Sequence, residues 1–109
     1  MSTNYTSNRR CHECVEAAYT TFHAIAHPLR MSILEALSGS GEAGLPVSEI
    51  AILTDTSQSM VSVHLKILHR SNLVIRQRRG NYVYYAVNRA RMATVAEAAA
   101  ALSDGLKQA

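Results

Sequence analysis

Cys11-His12-Glu13-Cys14 is the run of side chains best suited to covalent or metal chemistry. Two thiols at three-residue spacing can share a soft metal or close a disulfide at a helix start. Arg9 and Arg10 stand beside them, and cations near a helix N-terminus favour the thiolate, which is the reactive form. One Cys-x-x-Cys supplies two ligands where structural zinc takes four, so His12, His23, His27 or a second subunit would have to complete the set. Packing is the competing explanation. Cys11 continues an apolar helical stripe with Cys14 at its edge, and free cysteine packs as a small hydrophobe. The strand-before, helix-after context of a thioredoxin-like site is missing, which argues against a Cys-x-x-Cys oxidoreductase. The expectation is a protein that is no enzyme, with Cys11, His12 and Cys14 as candidate redox or metal-sensing residues. A soft or borderline metal ion there is the one cofactor to consider.

A second kind of chemistry is electrostatic. No acidic residue lies between Asp55 and Glu97, yet that interval holds Lys66, Arg70, Arg76, Arg78, Arg79, Arg89 and Arg91. The formal net charge of +3 is therefore a strongly basic segment, residues 56–96, offset by an acidic remainder. A solvated basic face is the ordinary explanation; a polyanionic partner is the functional one.

The elements that would position these groups belong to one small domain. The chain has 109 residues, 48% hydrophobic and 17% charged, enough for one core that folds without staples. Residues 1–8 read as a disordered tail and 9–109 as the domain. No apolar run approaches the roughly 18 residues of a membrane span, and no apolar stretch follows Arg9-Arg10 to make an export signal. Two cysteines do not make a disulfide framework, so a cytoplasmic protein is expected.

From about Cys11 to His23 the period is helical, with Val15, Ala18, Tyr19, Phe22 and Ala26 on one stripe. Pro28 suits the first position of a second helix, capped by His27, with Leu29, Ile33, Leu34 and Leu37 on its buried face. Glycines within Ser38–Gly44 predict a flexible loop, and Leu45-Pro46-Val47 a short extended piece. Ser48 is the expected cap of a short helix carrying Ile50, Ala51 and Leu53. Asp55-Thr56-Ser57 ends it, and Ser57 caps another helix running to about Asn72. Two short helices joined by a tight polar turn form a helix-turn-helix.

The period then drops to two. Leu73–Gln77 and Tyr82–Val87 flank Arg78-Arg79-Gly80-Asn81, a β-hairpin with a basic tip. Asn88 can cap a last helix with Met92, Val95, Ala98, Ala99, Leu102 and Leu106 on one stripe, its end weakened by Gly105. Helix-turn-helix plus basic hairpin is a winged helix, mainly α with a small β-hairpin.

On the helix after the turn, Val61, Leu65 and Leu68 point one way, while Ser59, Ser62, Val63, Lys66 and Arg70 occupy the opposite arc. Gln58, Ser59 and Ser62 can hydrogen-bond base edges or phosphates, and Val63 suits a thymine methyl, although lone exposed apolar residues are common. His64 borders the buried stripe, which favours packing, but it counts with Gln58, Ser59, Ser62, Val63, Lys66 and Arg70 as a candidate DNA contact; His69 lies between the two faces. Arg76, Arg78, Arg79 and Asn81 on the hairpin would meet the backbone or the minor groove. Double-stranded DNA is favoured over RNA, because no exposed aromatic stacking platform is visible.

Three stretches carry a resemblance: His27-Pro28-Leu29-Arg30-Met31-Ser32-Ile33-Leu34 with Val47-Ser48-Glu49-Ile50-Ala51, then Ser57 through Leu68, then Arg79-Gly80-Asn81-Tyr82-Val83-Tyr84-Tyr85. Over residues 15–88 the chain resembles the ArsR/SmtB family of bacterial winged-helix regulators. The resemblance implies a homodimeric repressor on an imperfect palindrome, released by an inducer and paired through the first and last helices. Val15, Tyr19, Phe22, Val95, Ala98, Ala99, Leu102 and Leu106 are then the expected dimer contacts. Val63 and Asn81 depart from the residues usual in the family at those positions. Two of the family's metal sites lack their ligands: residues 88–109 contain no histidine, and no cysteine lies near Val47–Ile50. A regulator without an inducer site, or a winged helix that binds an acidic protein partner, are the alternatives.

Overall fold

The structure, a computed structural model, describes Glu16 and residues 18–108, with side chains to residue 105. Residues 1–8, Cys11, His12, Cys14, Val15 and the side chain of Leu106 lie outside the described residues. Helix α1 (residues 18–25) leads to α2 (Pro28–Ser38), a 3-10 turn at Gly41–Ala43, β1 (Leu45–Pro46), α3 (Val47–Thr54), α4 (Gln58–Arg70), β2 (Val74–Arg79), β3 (Tyr82–Val87) and α5 (Arg89–Gln108). The sheet order is β1-β3-β2, with both pairings antiparallel. This is a winged helix-turn-helix.

Local chemistry sets most of the helix starts. His27 is extended and its Nδ1 accepts the Leu29 amide at 3.1 Å, while Pro28, lacking an N–H, opens α2. The Ser57 hydroxyl accepts the Met60 amide at 3.2 Å. Asn88 accepts the Arg91 amide at 3.2 Å through Oδ1 and donates from Nδ2 to the Asn72 carbonyl at 2.9 Å, tying α5 to the turn after α4. Ser48 is not the cap expected of it. Pro46, held extended at φ −77° and paired with Tyr84, occupies that position, so α3 begins one residue before Ser48. Helix α5 runs through Gly105 to Gln108.

The core joins α2, α3, α4 and the start of β2. Ile33, Leu37, Ile50, Val61, Leu65, Leu68 and Leu73 are fully buried, each contributing about 1.5–3 kcal/mol of burial free energy. The exposed stripes are as informative. Within α1 the buried residues are Thr21 and Ala24, while Phe22 is half-buried and Tyr19 is 67% exposed. In α5, Met92 and Val95 pack on the core, but Ala99 and Leu102 stand in solvent. Leu53 is exposed beside Ile52, leaving Ile50 and Ala51 as the buried residues of α3. Among the described residues, no helix is long and apolar enough to cross a membrane.

The stretch Ser38–Gly44 is not the loose loop that its glycines predict. It winds into the 3-10 turn, and Gly44 lies against β3 at φ 73°, where an added Cβ would stand 2.3 Å from the Tyr85 carbonyl oxygen.

Candidate nucleic-acid interface

The turn between α3 and α4 is built on Asp55, which adopts the left-handed conformation (φ 52°, ψ 48°) at the C-cap of α3. Its amide donates to the Ile52 carbonyl at 3.2 Å, and that of Thr56 to Ala51 at 3.0 Å. These bonds satisfy the last carbonyls of the helix and reverse the chain. Aspartate tolerates this backbone region better than most residues. Ser57 then caps α4, so three residues separate the two helices.

Helix α4 has two chemically distinct faces. Val61, Leu65 and Leu68 are buried, and Gln58, Ser59, Lys66 and Arg70 are exposed, with Ser62 half-exposed and Val63 52% exposed. The polar arc is therefore presented outward by residues anchored from behind. Among the described residues, no carboxylate pairs with Lys66 or Arg70. His69 is exposed.

His64 does not belong to that surface. It is 7% exposed, and its ring lies 4.5 Å from that of His27. At about 100° per residue it falls beside Val61 and Leu65, not beside Val63. Its Nδ1 is buried without a partner. Burial, then the nearby His27 and Arg30, hold its pKa below the usual 6.5. Well above pH 6.5 the imidazole is neutral in both folded and unfolded chains. As the pH falls below that value, the unfolded chain takes up a proton that the folded one resists, so stability declines until the folded pKa is passed. His64→Phe is expected to flatten this acid loss in urea unfolding compared at neutral and mildly acidic pH. An equally steep loss in the variant would assign it to other groups.

The hairpin closes through Gly80-Asn81, with Gly80 at φ 63° and Asn81 outside the left-handed region, the pattern of a type II′ turn. Strand β2 extends two residues beyond the expected Gln77, so Arg78 and Arg79 are paired strand residues, opposite Val83 and Tyr82. Strand alternation therefore separates the arginines. Arg76 and Arg78 share one face, and Arg79 points to the other. Arg78 is exposed and engages the turn through Nε, 3.3 Å from the Gly80 carbonyl. Arg79 instead lies over the Tyr84 ring, 4.1 Å from its centroid, and donates to the Ala43 carbonyl. Asn81 is exposed at the tip beside Tyr82, also exposed. Tyr82 was not among the expected contacts, although its place at the head of an alternating tyrosine strand next to the basic turn was the available sign.

Cys11, His12 and Cys14 lie outside the described residues, and among the described residues no group of three or more His, Cys, Asp or Glu could hold a metal ion. The dimer contacts expected from resemblance divide. Tyr19, Ala99 and Leu102 are exposed, and Phe22, Val95 and Ala98 are half-buried.

Comparison with known proteins agrees with this geometry. A helix-turn-helix domain model matches residues 25–77. Transcriptional repressor SdpR of Bacillus subtilis is 33% identical over 67 residues, covering 62% of this chain and 71% of that protein. The arsenical resistance operon repressor of the same organism is also 33% identical over 67 residues, covering 62% of each chain. Among solved structures, NolR from Sinorhizobium fredii superposes with a TM-score of 0.65 at 32% identity, covering 87% of this chain and 89% of that one. The two Bacillus subtilis relatives are repressors, and with the winged helix-turn-helix described above they show that the chain belongs to the ArsR/SmtB family of transcriptional regulators.

Proposed function

We propose that this protein is a cytoplasmic, homodimeric transcriptional repressor that binds an imperfect palindrome in double-stranded DNA. The observation that carries the reading is the division of α4, with an exposed arc of short polar and basic side chains backed by a fully buried apolar face. Gln58, Ser59, Ser62, Val63 and Lys66 enter the major groove, and Arg70, Arg76, Arg78 and Asn81 meet the backbone or minor groove. The exposed apolar side chains of Tyr19 and Leu102, on the first and last helices, support pairing through those helices. A dimer is also what two half-sites one helical turn apart require.

Fluorescence anisotropy on a duplex from the protein's own promoter tests this. Affinity is expected to fall steeply with salt, because each cation on a phosphate releases counterions, with a slope of about 0.9 per contact. Arg78→Ala is expected to weaken all sequences alike and flatten that slope, whereas Ser62→Ala changes the preference among sequences. Salt-independent affinity, or equal affinity for promoter and random DNA, would sink the reading.

Cys11 and Cys14 are the proposed point of release, through oxidation, persulfidation or a thiophilic metal. The supports are their spacing and their arginine neighbours. Release by oxidant that disappears in the double Cys→Ser variant would assign the redox role, and release by metal alone the other. Indifference to every treatment would leave a repressor regulated through its abundance.

A further inference from the structure

We propose that Arg79 is a positioning residue that holds the wing at its working angle, and that it is not one of the phosphate-contacting cations. The inference rests on the DNA-binding reading above, and divides labour between two adjacent arginines that sequence cannot tell apart.

Three observations converge on it. The first is register. Arg79 pairs with Tyr82, and Tyr84 is the next residue of β3 on the same face, so the side chain that covers Tyr84 runs back from the tip toward the hairpin base. The second is occupancy. The guanidinium uses a face on the Tyr84 ring and a terminal N–H on the Ala43 carbonyl. A planar cation suits this double contact, with the flat face stacked and the edge donating. The third is the acceptor, whose position is constrained. Ala43 closes the 3-10 turn, and Gly44 beside it is packed so closely on β3 that its missing Cβ is a requirement.

The need for such a strut follows from the topology. Strand β1 pairs with β3 at Tyr85 and Tyr84, and the next residue, Val47, begins α3. From Arg78 to Val83 the hairpin therefore projects as two strands without a third, a form marginally stable by itself. Arg79 ties this projection to the α2–β1 connection, 36 residues away in the chain. Arg78, on the opposite face, is left to meet a phosphate.

The test compares the wild type, Arg78→Ala, Arg79→Ala and Arg79→Lys by anisotropy across a salt series, with amide hydrogen exchange on the free proteins. Arg79→Ala is expected to bind about tenfold more weakly, with the salt slope unchanged and faster exchange in residues 78–84. Arg79→Lys should follow it, because the ammonium keeps the charge but cannot stack flat and donate edge-on together. Arg78→Ala should flatten the slope and leave exchange unaltered. Tyr84→Leu should reproduce Arg79→Ala, and combining the two should add little. A flattened slope in Arg79→Ala with unchanged exchange, or full rescue by lysine, overturns the proposal. If the wild type shows no salt-dependent binding to any duplex, the DNA reading fails separately. The exchange comparison then still decides whether Arg79 holds the wing.

Discussion

Gly44→Ala is expected to destabilise the domain by about 3 kcal/mol or more, the sum of a backbone conformation open essentially to glycine and a steric collision. At φ 73° and ψ −174° the residue occupies a region that an L side chain enters only under strain. The new methyl would lie 2.3 Å from the Tyr85 carbonyl oxygen and 2.9 Å from its carbon, both backbone atoms of a strand paired on each side. No rotamer change can relieve that contact, so the 3-10 turn must lift from β3. Thermal unfolding should show a midpoint lowered by roughly 12 °C or more. Gly41→Ala is the control. Its φ is 63° but nothing lies within 4 Å, so about 1 kcal/mol is expected. Equal effects at the two positions would mean that the close approach of Gly44 to the sheet is wrong. Because Ala43 supplies the acceptor for Arg79, partial destabilisation should also appear as faster exchange in the wing.

Leu65→Ala is the second large effect, about 2–5 kcal/mol in urea unfolding, as for other fully buried leucines. Leu65 is completely buried on the inner face of α4, between the equally buried Val61 and Leu68. Truncation leaves a void behind the helix that carries the polar arc, so affinity for DNA should drop together with stability. Val63→Ala separates the two quantities. Val63 is exposed on the opposite face, so stability should stay within about 0.5 kcal/mol of wild type while preference at one base pair shifts. A Leu65→Ala protein as stable as wild type would show that α4 is not held by this face.

Much of this fold could be read from local pattern. The cap-and-proline pair His27-Pro28, the Ser57 cap and the alternating Tyr82–Val87 strand each involve groups within a few residues of one another, so spacing in the chain reports spacing in the molecule. Ser48 does not take the cap position because Pro46 pairs with Tyr84, a partner distant in sequence. The stretch Ser38–Gly44 departs from a loose loop for the same reason, since glycine content signals freedom until a strand packs against it. His64 lies at the border of the helical stripe, and its burial depends on His27 coming from another helix.

The candidate interface divides along the same line. Charge asymmetry, the helix-turn-helix spacing and the two faces of α4 are carried by composition and period, which survive without coordinates because they depend on residue order and helix pitch. What each of the two exposed arginines Arg78 and Arg79 touches depends on tertiary structure. Strand register assigned them to opposite faces, and a ring and a carbonyl from elsewhere in the chain engaged one of them. Neighbouring residues of identical type differ only in what the fold brings to them, and that is a long-range property.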